Sequence, residues 1–519
     1  MPATKTDNML SSLRLGVIER LALSFWAGTL PEDVDRIPLL MRPRGSEIMS
    51  RCCIYKDRAI LRERLRAAMG FRLEDETDDS IPLRTYAEEA LERKEPNWPI
   101  LTVCDIACQG CMRARYYVTD ACQGCVARSC IGSCRFGAIS FSRGRSTIDP
   151  EKCRNCGMCM DACPYHAIVR LNVPCEAACP VRAIHKGNKG RAEIDFEKCT
   201  SCGRCMRACP FGAVMERSEV LPVLRALASG RHVTALMAPA IVGQFSGGPA
   251  RIVTALRRLG FSDVMEVALG ADVTSQREAA EFVERMERGD TFMTTSCCPA
   301  YVEAVRRHAP ELLPHVSETA TPMHYTAEIA RERHPETVTV FIGPCVAKRQ
   351  EGLHDEMVDY VLTFEEVGAL FNARGIVVEE CEEHELERPS NEARGYAIAG
   401  GVSAAVEKLV GDRFEVRPVA INGLSPQGLK KLQSFVKGGC PGNLVEVMTC
   451  KTGCVGGAGQ PYGLIPVKQQ RAEGLYEADR TALIKRSERS PIVTKRLEGA
   501  MKGRTHQLLD VEYKRPDKA

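Results

Sequence analysis

Apolar and polar positions along this chain follow two different periods. Over Ser12–Leu21 and Ala59–Met69 apolar residues recur at helical spacing, so residues 1–98 are expected to form a helical region. From about residue 218 short apolar runs alternate with helical stretches. Val233–Pro239, Val264–Leu269, Thr291–Thr294, Val338–Ile342, Met357–Leu362, Phe414–Ile421 and Leu444–Met448 read as strands. Ala250–Leu259 and Arg277–Arg288 read as helices, and Thr363 with Glu366 supplies a capping box for another. This alternation predicts an α/β domain with a mostly parallel sheet. The last 40 residues read as helical and basic in patches, ending in a strand-like LLDVEY. No apolar run approaches the roughly 18 residues of a membrane span.

Between these regions the hydrophobic pattern gives way to a repeat. IDPEKCRNCGMCMDACPYHAI (148–168) is echoed by IDFEKCTSCGRCMRACPFGAV (194–214). Shorter echoes are ACQGCVARSCIGSCRFGAI (121–139) and PCEAACPVRAI (174–184), and QGC occurs at 109–111 and 123–125. Such self-similarity marks duplicated small units.

Composition changes the picture at one residue type. Of 519 residues 26 are cysteine and only 10 histidine, with 16 of the cysteines between Cys108 and Cys209 and 7 from Cys297 onward. The N-terminal MPATKTDNML has no apolar core, so no signal peptide is expected and the compartment is read as cytoplasmic and reducing. Clustered thiols there point to metal ligands rather than disulfides. The isolated pair Cys52–Cys53 reads as structural. A net charge of +3, from 70 basic and 67 acidic residues, excludes a strongly basic nucleic-acid surface.

Cys153, Cys156, Cys159 and Cys163 follow C-x2-C-x2-C-x3-C-P, and Cys199, Cys202, Cys205 and Cys209 repeat it. This is the bacterial ferredoxin run, whose fourth cysteine serves the neighbouring cluster. Two-residue gaps let one loop reach three corners of a cubane, whereas tetrahedral zinc prefers two separated pairs. Cys122, Cys125, Cys130 and Cys134 form a variant with a longer gap before the third cysteine. The crossing pattern then gives one cluster on Cys122, Cys125, Cys130 and Cys163 and another on Cys153, Cys156, Cys159 and Cys134. Cys175 and Cys179 have the third and fourth positions of a motif, and Cys108 and Cys111 supply its first pair. This yields a cluster on Cys108, Cys111, Cys175 and Cys209 and one on Cys199, Cys202, Cys205 and Cys179. Three to four accessory [4Fe–4S] clusters are expected, four being preferred; Cys104 is an alternative to Cys108.

Three cysteine loops follow expected strands. They are Thr295–Tyr301 (TSCCPAY), Pro344–Glu351 (PCVAKRQE) and Glu446–Pro461 (EVMTCKTGCVGGAGQP). Ligands of open α/β sheets lie beyond the carboxyl ends of the strands. The loops are therefore expected to meet, bringing together Cys298, Cys345, Cys450 and Cys454, enough for one more cubane.

With these loops in this order after a ferredoxin block, the chain from residue 104 onward resembles the [FeFe]-hydrogenases, in detail their group B branch. The resemblance implies a catalytic domain with two mostly parallel sheets flanking the active site, preceded by α+β ferredoxin-like iron–sulfur domains and the helical N-terminal segment. The implied division is 1–98, helical; 99–217, two dicluster units; 218–474, catalytic domain; and 475–519, a segment similar to the family's small subunit. It implies an H-cluster: a [4Fe–4S] cubane on Cys298, Cys345, Cys450 and Cys454, bridged through Cys454 to a diiron unit with carbon monoxide, cyanide and azadithiolate. Cys297 is then the proton-transferring thiol, with Glu278, Ser317 and Glu281 leading to the surface. Lys348 donates to a cyanide, and Met448 and Pro239 adjoin the cofactor.

The implied activity is reversible reduction of protons to H2, with a ferredoxin or similar small carrier and hydrogenase maturation proteins as partners. No convincing nicotinamide or flavin fingerprint is present. Arg113, Arg115, Arg128 and Arg135 are candidates for steering an acidic carrier. The chain departs from the family pattern at Tyr301 (tryptophan), Gly343 (methionine), Ala458 (glycine) and Met323 (often glutamine). The alternatives are an H2 sensor and a non-catalytic iron–sulfur scaffold related to the hydrogenases.

Overall fold

The computed structural model describes residues 8–46, 51–93, 98–109, 111, 115–245, 247–387 and 389–460, with Glu473, Ser487, Ser490 and Val493. The strand and helix expectations for the last 40 residues lie outside the described residues.

The N-terminal region is helical, as its periodicity requires. Its longer helices are Met9–Trp26, Ile54–Ala68 and Leu83–Glu92. Asn8 caps the first, its side chain accepting from Ser11 N at 3.0 Å. Leu21 and Leu65 share one apolar core with Val220, Leu236, Phe364 and Phe371, so these helices pack directly on the α/β region.

The cysteine-rich block is built of small repeated units. Four two-stranded antiparallel sheets pair Leu101–Val103 with Val214–Glu216, Arg115–Val118 with Ile168–Leu171, Ile139–Ser142 with Arg145–Ile148, and Ile184–Lys186 with Ala192–Ile194. The sequence echoes are structural repeats. Gly137, His166, Arg182 and Gly212, each three residues after the last cysteine of its unit, all adopt a left-handed turn with φ between 50° and 58°. The turn aims the next amide back at the thiol. Ala138 N, Ala183 N and Ala213 N donate to Cys134, Cys179 and Cys209 Sγ at 3.4, 3.2 and 3.4 Å.

The α/β region holds two parallel sheets. One has the order Asp263–Glu266, Val233–Met237, Val338–Gly343, Tyr360–Thr363. The other has the order Met293–Thr294, Leu444–Met448, Pro418–Asn422. Val233–Met237, Val338–Gly343 and Leu444–Met448 are buried at every position, as strands covered on both faces must be.

The expected elements recur with shifted ends. The strand expected over Val264–Leu269 stops at Glu266, and a helix runs from Ala268 to Glu287 rather than starting near Arg277. The run Ala268–Ser275 is apolar or small because this first part of the helix is wholly buried, so burial hides its helical period. Thr363 and Glu366 form the capping box in full. Among the described residues no helix is long and apolar enough to cross a membrane.

Candidate functional site

The three cysteine loops leave the carboxyl ends of Met293–Thr294, Val338–Gly343 and Leu444–Met448, one sheet supplying two and the other sheet the third. Cys298 precedes the helix Pro299–His308, and Cys454 opens a short 3-10 turn, Cys454–Gly456. Cys298, Cys345, Cys450 and Cys454 come together. In every one of their six pairings the charge of one thiolate bears on the other. All are half-buried. Burial, and then the neighbouring thiols, push Cys454 up to about 12 and Cys345 and Cys450 upward too. Cys298 Sγ also lies 3.5 Å from Thr449 Oγ1.

Four such donors suit an iron–sulfur core, whose irons offset the charge that crowded thiolates impose on one another. Among the described residues no three His, Cys, Asp or Glu side chains stand at the closer spacing of a single metal ion.

Cys297 adjoins this group. Burial first, and then the charges of Glu278 and Glu446, push its thiol well above the ordinary range, higher than a relay titrating near neutrality would require. Glu278 is fully buried; its Oε1 accepts from Ser296 N at 3.2 Å, while Oε2 has no partner. Burial raises Glu278 to about 8, and Ser317 interacts with its carboxyl. Ser317 Oγ donates to Glu281 Oε2 at 2.6 Å. Glu281 is held by Thr319 Oγ1 (2.8 Å), Glu318 N (2.9 Å) and Arg285 (2.8 Å). The two acids sit one helical turn apart on Ala268–Glu287; the charge of Glu278 bears on Cys297, and Ser317 acts on both carboxyls.

Lys348 is buried, and its Nζ donates to Glu351 Oε2 at 2.7 Å and Thr321 Oγ1 at 3.0 Å. Its charge reaches Cys345 and Cys297. Met448 packs with Tyr396 against Cys297 and Cys298. Pro239 is buried at the end of Val233–Met237 and starts a 3-10 turn.

The departures each have a local fit. Tyr301 is wholly buried and donates to Thr294 Oγ1 at 2.8 Å. Gly343 lies under the Phe341 ring, so that a Cβ would stand 2.2 Å from it. Met323 is fully buried in the main core.

Three residues at the site carry no role in the sequence reading, although Glu351 and Glu446 lie inside its loop motifs. Glu351 and Thr321 hold Lys348, and the i, i+3 spacing of Lys348 and Glu351 was a readable sign of the first. Glu446 accepts from Gly400 N and Ser403 N at 2.6 and 2.9 Å. Its signal was a carboxylate inside the otherwise apolar strand LVEVM.

The accessory thiols gather in two regions, one around Cys122–Cys163 and one around Cys108–Cys209. Cys179, Cys199, Cys202 and Cys205 interact in all six pairings. Cys134, Cys153, Cys156 and Cys159 line one small cavity. Cys122 and Cys130 both meet Ser146, and Cys163 packs in the same cluster. Cys175 feels Cys209, and Lys186 lies 3.4 Å from Cys108 and acts on Cys175; Cys111 packs against this group. Cys104 is also near, beside Arg64, and burial pushes it up to about 11. Cys125 is half-buried in its loop.

The block abuts the central site. Cys202 acts on Cys450, and Arg207 donates to Gly456 O and Gly457 O at 2.9 and 2.7 Å. Gly203, at φ 71°, lets the loops touch: a Cβ there would lie 2.8 Å from Ala458 Cβ. Arg128 is exposed and stacks over Phe141, and Arg135 is exposed. Arg113 and the side chain of Arg115 lie outside the described residues.

Residues 231–458 match the C-terminal domain of the iron-only hydrogenase large subunit, and residues 146–169 and 192–215 match the 4Fe-4S binding domain. Iron hydrogenase 1 of Clostridium pasteurianum is 29% identical, over 71% of this chain and 76% of its own. The NADP-reducing hydrogenase subunit HndD of Solidesulfovibrio fructosivorans is also 29% identical, over 73% and 68%. Cytosolic iron-sulfur assembly component 3 of Bos taurus is 26% identical, over 52% and 70%. Among solved structures, a variant of the [FeFe]-hydrogenase HydA1 from Chlamydomonas reinhardtii aligns at 23% identity and a TM-score of 0.47, over 54% of this chain and 93% of that one.

Proposed function

This chain is an [FeFe]-hydrogenase-like protein, and from that premise we propose that it catalyses the reversible reduction of protons to H2. Cys298, Cys345, Cys450 and Cys454 would hold the H-cluster. When bound, that cofactor supplies the iron chemistry and, in its azadithiolate, the bridging amine. The protein contributes ligands, an enclosed pocket and proton movement. Lys348, kept charged by Glu351, presents an ammonium toward the site for a cyanide ligand. Met448 packs beside Cys297 and Cys298 as an apolar wall, and buried Pro239 is assigned a like role.

Protons pass from the surface at Glu281 to Ser317, then to Glu278, then to the Cys297 thiol. Glu278 holds a proton up to about pH 8 and so can donate near neutrality. The crossed cysteine sets would hold four accessory [4Fe–4S] clusters, which would supply electron transfer, and Cys202 of one set acts on Cys450. A ferredoxin or similar soluble carrier delivers the electrons, with maturation proteins inserting the diiron unit and the cytoplasm as the compartment.

The observation that carries this reading is the joining of the acid chain to the four-thiol pocket through Cys297. A non-catalytic scaffold is favoured by the similarity to an iron–sulfur assembly component, but a scaffold has no use for a proton chain ending at a fifth thiol. An H2 assay with reduced carrier on fully matured protein tests the proposal. Turnover is expected in the wild type and near-complete loss in Cys297→Ala with iron content retained. Equal turnover in both would remove the proton route, and none in either would favour the scaffold.

A further inference from the structure

The N-terminal helices reach one of the accessory thiol sets directly. Ile60, Arg64 and Ala67 share one face of the helix Ile54–Ala68, at i, i+4 and i+7. Ile60 and Ala67 pack in the same apolar cluster as Cys104, Cys108, Cys175 and Cys209. Arg64 goes in with them and is buried, although arginine is seldom fully buried without a partner.

Its guanidinium sits against a cysteine turn. Nη2 donates to Phe211 O at 3.2 Å, and Nη1 lies 3.8 Å from Met215 Sδ. Phe211 and Gly212 belong to the turn that aims Ala213 N at Cys209 Sγ. A Cβ on Gly212 would stand 2.8 Å from Arg64 Nη2, whereas one on Gly137, in the equivalent turn after Cys134, would meet nothing within 4 Å. Arg51 ties the same turn to the other loop, its Nη2 donating to Phe211 O (3.2 Å) and to Ala107 O (3.0 Å), next to Cys108.

Arg64 stays charged in this place. Burial, and then Arg14, lower it to about 10. Of the charges acting on Cys104, that of Arg64 is larger than those of Glu63 and Asp105, and Arg64 acts on Cys209 as well. Glu365 also feels Arg64 but is paired with Arg14 at 3.6 Å. A second cation comes from the strand Ile184–Lys186. Lys186 Nζ donates to Cys108 Sγ at 3.4 Å, and its charge acts on Cys175 more strongly than that of Glu176.

An iron–sulfur cluster gains negative charge on reduction, so a fixed cation or an N–H···S bond beside it favours the reduced form. We propose that Arg64 and Lys186 raise the reduction potential of the cluster that Cys108, Cys111, Cys175 and Cys209 would hold, which gives the N-terminal helices a part in electron transfer. This inference rests on the accessory ligand set proposed above.

The test is an anaerobic redox titration of the holoprotein with dithionite, followed by electron paramagnetic resonance. Cys175→Ala identifies the component that belongs to this cluster, since Cys175 is in the set whether Cys104 or Cys108 completes it. In Arg64→Gln and in Lys186→Gln the reduced-to-oxidised ratio of that component at a fixed potential should fall about tenfold, a downward shift of about 59 mV. Arg64→Lys keeps the charge and should stay within about threefold of the wild-type ratio. Lys186→Gln alters a half-buried residue and decides the matter if Arg64→Gln does not fold. An unmoved component in Lys186→Gln, or in folded Arg64→Gln, overturns the proposal, as does an Arg64→Lys shift equal to that of Arg64→Gln. A wild-type spectrum with no component that depends on Cys175 overturns the ligand set too.

Discussion

Ser317 Oγ lies 2.6 Å from Glu281 Oε2, tying the segment after Met293–Thr294 to the long helix Ala268–Glu287. Ser317 also acts on the Glu278 carboxyl, and in the proposed route its hydroxyl would pass a proton from one acid to the other. Ser317→Ala should therefore lower H2 turnover by about 10²-fold, the scale of a lost proton-transfer group. Visible absorption of the clusters should not change. Turnover within twofold of wild type would show another route.

Glu278 links activity and stability to pH. Its folded pKa of about 8 lies above the ordinary carboxyl value of 4.5 because the group is buried. Between those values the folded protein holds a proton that the unfolded chain releases. The stability contribution is therefore complete below about pH 4.5 and lost as pH rises through 8. Glu278→Gln should flatten that slope in urea unfolding followed across the range. It should also lower H2 evolution at every pH, because the variant has no carboxyl proton to pass to Cys297. A wild-type slope in the variant would assign the proton to another group.

Lys348 and Glu351 form a buried pair at 2.7 Å. Removing one partner leaves the other charge stranded, so Lys348→Ala should cost about 3–5 kcal/mol. The double change Lys348→Met with Glu351→Leu should restore much of that loss while leaving H2 turnover low. Unfolding curves and turnover on the same samples separate the structural role from the functional one.

Tyr301 stands where the resemblance expects tryptophan, and its hydroxyl is satisfied by Thr294. Tyr301→Phe leaves Thr294 Oγ1 without that donor in a buried site and should cost about 1–2 kcal/mol. Cluster content should stay the same. A stability change under 0.5 kcal/mol, on the scale of about one weak surface contact, would mean that the hydroxyl contributes little.

The central site was legible because its chemistry is local in sequence. Cys297 and Cys298, the run from Cys450 to Cys454, and the doubled ferredoxin motif each carry their spacing within one loop. The strands leading into those loops were visible as apolar runs for the same reason. What escaped notice was what burial disguises. The helix starting at Ala268 is buried all round in its first turns and shows no polar face. Thr321 acts through Lys348 and Glu351, residues distant from it in the chain. The left-handed turns at His166 and Arg182 were likewise hidden, because neither residue type signals that backbone conformation as glycine does.

The most direct measurement is infrared spectroscopy of the protein after maturation, compared with Cys298→Ala carried through the same procedure. The account predicts sharp carbon monoxide and cyanide bands in the wild type and their loss in the variant, with the accessory clusters retained. A wild-type sample with its full complement of [4Fe–4S] clusters but no such bands would contradict it.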